Sequence, residues 1–156
     1  MNYETHRAMF EGMNQELWTK SSGRLLWMTQ PAWPSTMWQI LSHDYDTHAA
    51  FYGTQAASER VHVQMSLADH ALAVVNNTTA TVAGAKLRAR VLDLSGGVLS
   101  DQTQAVDAAA NAVTSGRTLD LGLKAGEAAV VRLDLTGSDG AVLSHNLYWS
   151  GVDDAG

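Results

Sequence analysis

Ala129-Val130-Val131-Arg132-Leu133-Asp134-Leu135 decides the class of this chain. Positions 129, 131, 133 and 135 are apolar, and Arg132 and Asp134 fall between them. A period of two sends successive side chains to opposite faces of a strand, so this run predicts a half-buried strand. Gly137-Ser138-Asp139-Gly140 follows as a turn. Val142 to Trp149 predicts the last strand.

The same pattern extends toward the N-terminus. Leu119, Leu121 and Leu123 predict a short strand before Lys124-Ala125-Gly126. From Lys86 to Leu94, apolar Leu87, Ala89 and Val91 alternate with Arg88 and Arg90, and Ser95-Gly96-Gly97 is a hairpin signal. Ala71 to Val75 alternates and ends at Asn76-Asn77-Thr78-Thr79; Val61 to Met65 alternates as well. The alanines of Gln102 to Ser115 fit either a helix or an irregular edge. About seven short strands punctuated by turns over roughly ninety residues predict an immunoglobulin-like antiparallel β-sandwich. Its expected core includes Leu87, Val91, Val131, Leu133, Leu135 and Leu147.

Composition changes before this region. Trp18, Trp27, Trp33 and Trp38 precede residue 60, as do both prolines and both phenylalanines; only Trp149 follows. The shift predicts two units with a boundary near Glu59 to His62. In the first, Met9, Phe10, Met13 and Leu17 recur at helical spacing between Tyr3 and Trp18. A second helix is expected from about Tyr45 to Glu59, with Ala49, Phe51, Tyr52, Ala56 and Ala57 as core positions and Asp44 or Asp46 as its cap. Between them, Leu25-Leu26-Trp27-Met28 is apolar on both parities, as in a parallel strand covered on both faces. Pro31 and Pro34 then forbid continuation of a strand or helix. The chain is thus mainly β, with the sandwich preceded by an α/β segment.

Trp27, Trp33 and Trp38 crowd onto this broken loop. Indole rings just past a buried strand suit a sugar-binding cleft; they suit core or lid packing equally well.

A net charge of −6 disfavours nucleic acid or an anionic membrane surface as partner. There is no cysteine, hence neither a disulfide framework nor thiolate chemistry. No apolar run approaches the ~18 residues of a membrane span. The residues from Met1 to Arg7 lack the apolar core of a signal peptide. Glu4, Glu11 and Glu16 fall at helix positions expected to face solvent, which leaves no carboxylate pair for glycoside hydrolysis. His43 and His48 do not share a helical face and have no carboxylate at ligand spacing, so neither a metal nor another cofactor is expected. The sequons in Asn76-Asn77-Thr78-Thr79 read as turn chemistry.

Several stretches carry a family resemblance. Tyr3 to Glu11 resembles the last-but-one helix of the catalytic (β/α)8 barrel of glycoside hydrolase family 2. Gly23 to Trp38, with Leu26-Trp27-Met28 and Ala32-Trp33-Pro34-Ser35, resembles that barrel's eighth strand and following loop. Tyr52-Gly53 and Glu59 to Gln64 resemble the last helix and the exit into the next domain. Leu143 to Trp149 resembles the final strand of the immunoglobulin-like domain that follows. The branch is that of the exo-β-glucosaminidases and β-mannosidases.

The resemblance implies that residues 1–60 are the end of a catalytic barrel, 61–150 an immunoglobulin-like sandwich and 151–156 a tail. In that family the catalytic glutamates sit on earlier barrel strands, so no catalytic residue is expected here. Sugar contacts are implied at Trp33, the Trp of the family's Trp-Pro pair, at Trp27 at the strand's end, and at Gln30, where many relatives have Asn. Pro31 replaces a residue that is commonly polar. The implied partners are a carbohydrate substrate and the missing upstream barrel or another copy of the chain.

Overall fold

The computed structural model describes residues 2–35 and 39–151. The chain divides into two compact units, Met1–Arg60 and Val61–Gly156.

The first unit holds two helices, α1 (Asn2–Gln15) and α2 (Ala49–Ala56). Of the predicted stripe, Phe10 and, just past α1, Leu17 are buried, whereas Met9 and Met13 are exposed; His6, Arg7, Glu11 and Asn14 complete the buried face. Glu11 therefore does not face solvent; Arg7 lies beside it, and Arg7 also pairs with Glu4. Residues at i, i+3, i+4 and i+7 share one side of a helix, so this polar stripe is coherent in itself. Hydropathy missed it because it ranks charged residues as outward. Asn14 donates to the carbonyl of Ala57 (2.9 Å), which ties α1 to the end of α2. The helices meet closely at Gly53, where an added Cβ would lie 2.3 Å from the Tyr3 carbonyl oxygen.

α2 starts later and ends sooner than the sequence suggests. Its N-cap is His48, whose Nδ1 accepts from Ala50 N–H, rather than Asp44 or Asp46. Those aspartates sit in the preceding turn, where Tyr45 adopts a positive φ of 66° and helical continuity is lost. Of the expected core positions only Ala57 is buried; Ala50 and Gly53 supply the rest.

Leu25 to Met28 forms no strand, and all four residues are exposed, Leu25 by 99%. A parallel strand is held by ladders on its flanks, and the first unit offers none. Among the described residues its extended contacts are two isolated bridges, Leu17 to Ser21 and Leu41 to Thr47.

The second unit is the predicted antiparallel sandwich. One sheet has the order β1 (Val61–Met65), β2 (Ala71–Asn76), β5 (Ala112–Thr118). The other has the order β4 (Val98–Ala108), β3 (Val82–Asp93), β6 (Ala128–Thr136), β7 (Val142–Gly151). Val63, Met65, Leu72 and Val74 from the first sheet pack with Leu87, Val91, Val131, Leu133 and Leu135 from the second.

Three expectations fail in the sandwich. The region from Gln102 to Ser115 belongs to strands β4 and β5, not to a helix. Leu119 to Leu123 is irregular, although Leu119 and Leu121 are buried; they cover the core without entering a ladder. Leu147 is 42% exposed, while its neighbours Asn146 and Tyr148 point inward. The last strand thus buries Ser144, Asn146 and Tyr148 and exposes Val142, Leu147 and Trp149. From Ser144 to Trp149 period two is kept and its polarity is inverted. Of the tail, Gly151 ends β7 and residues 152–156 lie outside the described residues.

Candidate functional site

The segment joining α1 to α2 carries the sequence-predicted site, and local bonds set its course. Trp18 takes a positive φ of 68°, its N–H donates to the Ser21 carbonyl (2.7 Å), and the chain leaves the helix there. Arg24 then anchors it. The guanidinium lies 4.7 Å from the centre of the Phe10 ring and donates to the Phe10 carbonyl (3.2 Å) and to Asn14 Oδ1. Burial lowers the Arg24 pKa from its ordinary value. After the exposed run, Leu41 N–H donates to the Thr29 carbonyl (2.9 Å) and closes the loop.

Trp27 and Trp33 are 82% and 70% exposed. Gln30 donates through Nε2 to the His43 carbonyl (2.8 Å), so its amide helps hold the loop. Trp38 lies outside the described residues. Trp27, Gln30 and Trp33 therefore occur on one exposed loop, but none lines the concavity beside it. That cavity, of about 240 Å³, is lined by Asn2, Pro31, Ser35, Gln39, Leu41, Ser42, His48 and Ala49. Gln39 is buried and its Oε1 has no hydrogen-bond partner among the described residues. Sequence reasoning passed over Gln39 and considered His48 only to set aside a metal site; neither sits in a motif. A polar residue just after two prolines and three tryptophans was the available signal for Gln39.

Local hydrogen bonds set the electrostatics of several aspartates. A hydrogen bond from the Ser42 hydroxyl, then backbone N–H bonds and the nearby His43, hold the Asp44 carboxyl below its ordinary pKa. In the second unit, Asp69, Asp93, Asp101 and Asp134 are also shifted down. No group of three His, Asp or Glu that could hold a metal occurs among the described residues. No helix among them is long and apolar enough to cross a membrane.

In the second unit the turn after β2 separates two overlapping sequons. Asn76 is buried; its Nδ2 donates to the carbonyls of Ala80, Ala108 and Ala109, and its Oδ1 accepts from Thr78. This is the expected turn chemistry.

The outward face of the four-stranded sheet follows from its register. Val98 pairs with Leu92, Leu92 with Val130 and Val130 with Trp149, which gives one apolar rung across all four strands. The next rungs carry Arg90 and Arg132, then Arg88 and Asp134. Asp134 lies 2.9 Å from Arg90 and 3.1 Å from Arg132.

Proteins similar to this chain include glycosidases. Residues 68–151, more than half of the chain, match the model of the mannosidase Ig/CBM-like domain. The chain is 40% identical over 96 residues to the mannosylglycoprotein endo-β-mannosidase of Lilium longiflorum, covering 62% of this chain and 10% of that protein. It is 30% identical over 155 residues to the exo-β-D-glucosaminidase of Hypocrea virens, covering 96% of this chain and 17% of that protein. The crystal structure of the exo-chitosanase of Amycolatopsis orientalis superposes with a TM-score of 0.86 at 27% identity, over 96% of this chain and 18% of that one. A β-D-mannosidase from Dictyoglomus thermophilum shares the fold, with a TM-score of 0.77 at 17% identity over 94% of this chain and 18% of that one. The chain thus spans less than a fifth of the length of these relatives. It belongs to the mannosidase Ig/CBM-like domain family and corresponds to the C-terminal region of family 2 glycoside hydrolases of the exo-β-glucosaminidase and β-mannosidase branch.

Proposed function

We propose that this chain is the C-terminal portion of a family 2 glycosidase, bearing sugar-subsite aromatics but not the catalytic glutamates. Residues 1–60 are then the end of its (β/α)8 barrel and 61–150 the sandwich that follows. The observation that carries this reading is the exposed run from Leu25 to Met28. It has the composition of a strand covered on both faces, yet its side chains are exposed. Each such side chain gains roughly 1.5–3 kcal/mol on burial, so the run favours a partner that completes a sheet. Trp27 and Trp33 then stand beside the C-terminal end of a barrel strand, where such enzymes carry their chemistry. Gln30 offers the remaining polar contact to a sugar hydroxyl. The parent's substrate is a β-glucosaminide or β-mannoside, by likeness to the relatives named above.

The test has two arms. The isolated chain, given a glucosaminide or mannoside with a chromogenic leaving group, shows only background release, because it lacks an acid and a nucleophile across one bond. Joined to its upstream barrel, the protein turns over, and Trp33→Ala weakens turnover by removing a stacking face worth on the order of 1 kcal/mol. Turnover by the isolated chain, abolished by changing one of its own carboxylates, overturns the reading.

One observation favours a second reading, a stand-alone carbohydrate-binding module. Trp149 is 64% exposed on the flat outer face of the sandwich, beside Val130. Retention on an immobilised glycan, lost in Trp149→Ala, would support it.

A further inference from the structure

The cavity of the first unit is separate from the exposed tryptophans and has its own chemistry. Its volume of about 240 Å³ is many times what one water needs and lies below the roughly 300–1,000 Å³ of pockets for drug-sized ligands. That size suits a single small ring.

One group at its wall is short of a partner, and a second offers a hydrogen-bond donor. Gln39 is 3% exposed, lines the cavity, and has an unpartnered Oε1. A buried amide oxygen without a donor is costly, and a bound donor removes that cost. His48 lines the same wall, and its Nδ1 already accepts from Ala50 N–H. A ring nitrogen that accepts does not carry the proton, so in the neutral imidazole Nε2 does, and it is a donor. One wall group calls for a donor and the other supplies one.

A hydroxyl meets both demands, because it donates and accepts. It also satisfies the Gln39 amide in either orientation of its two ends. The Ser42 hydroxyl is already used, donating to Asp44 and accepting from Asp46 N–H (3.1 Å). Pro31, Leu41 and Ala49 give the wall apolar area for the C–H face of a ring. Among the described residues, no side chain of the lining is a carboxylate, Lys or Arg, so none of them selects a charged ligand.

We propose that this cavity is a binding site for one neutral sugar ring, with Gln39 and His48 hydrogen-bonding adjacent hydroxyls. The choice of a sugar over another small polyol rests on the glycosidase reading; the demand for a hydroxyl-bearing ring rests on the cavity alone.

The experiment titrates the chain with D-mannose and D-glucose while amide NMR signals are followed. The expected result is millimolar binding, in keeping with so small a ligand. Shifts concentrate on the Gln39 side-chain amide and on the N–H groups of Ala49 and Ala50. Gln39→Leu weakens binding about tenfold, with an otherwise unchanged spectrum. Should that variant lose its fold, intermolecular NOEs decide: sugar protons near the Gln39 and His48 side chains of the unaltered protein support the site. Glycerol at equal concentration serves as a control, and binding as tight as that of the hexoses overturns the ring. An unshifted Gln39 amide at tens of millimolar hexose overturns the site, leaving a cavity that only water fills. That failure leaves the activity of the rejoined enzyme untouched, so the two readings fail separately.

Discussion

The phenolic oxygen of Tyr148 on β7 accepts the backbone N–H of Met65 on β1 at 3.0 Å. β1 is the edge of its sheet and β7 the edge of the other. Two more contacts flank this one: Val63 N–H donates to Ser144 Oγ (3.1 Å), and Asn146 Nδ2 donates to the Val63 carbonyl (3.1 Å). Asn146 also donates to the Tyr148 hydroxyl (2.7 Å). The side chains of one edge strand thus satisfy the free backbone of another. A buried strand edge without such partners would be costly, and an exposed one would invite foreign strands. Here lies the reason for the inverted polarity of β7.

The Tyr148 hydroxyl is therefore expected to stabilise the sandwich well beyond an ordinary surface bond. Tyr148→Phe keeps the ring and strands the Met65 N–H. A loss of about 1–3 kcal/mol is expected in urea unfolding followed by far-UV circular dichroism. An unchanged midpoint would show that the bond contributes nothing net.

Two leucines that look alike in sequence should behave oppositely. Leu133 is completely buried, and Leu133→Ala should cost about 2–5 kcal/mol. Leu147 lies on the outer face, and Leu147→Ser should stay within about 0.5 kcal/mol. Thermal unfolding of the two variants side by side tests the assignment, and equal losses would refute it.

Acid should weaken the sandwich partly through Asp134. Burial raises the pKa of its carboxyl, but hydrogen bonds from Arg132 and Arg90 outweigh that and leave it lowered. The unfolded value is about 3.9, so the contribution is complete above that pH and fades as pH falls through the lowered folded pKa. Asp134→Asn should be less stable than the parent above about pH 4, and the gap should close in stronger acid. Unfolding midpoints measured across that range report it; a gap that widens on acidification would contradict the assignment.

The isolated chain should associate through its first unit. Leu25 and Trp27 are exposed together with Leu26 and Met28, and contiguous apolar surface favours partners. Light scattering should show dimers or larger species, and Leu25→Asp should shift the population toward monomer. A clean monomer at high concentration, with little binding of a hydrophobic dye, would mean that the run is covered within the chain.

The sandwich was legible because alternation is a local property. Ala129 to Leu135 and Lys86 to Leu94 each announce a strand with one buried face, and the chain needs only to pair them. What the sequence could not decide by itself was which polar residues go inside. Ser144, Asn146 and Tyr148 face inward because β1 presents bare N–H and carbonyl groups there, a demand that arises only when two distant strands meet. Glu11 and Arg7 are buried for a related reason: each neutralises the other, which a residue-by-residue hydropathy cannot register. The run from Leu25 to Met28 is the reverse case. Its composition is that of a buried strand, yet a strand exists only where neighbours complete its hydrogen bonds, and the described residues of 1–60 supply none. Trp27, Gln30 and Trp33 could be named from their motif, whereas the cavity lined by Gln39 and His48 appeared only when the folded loop brought positions 31, 39 and 48 to one wall.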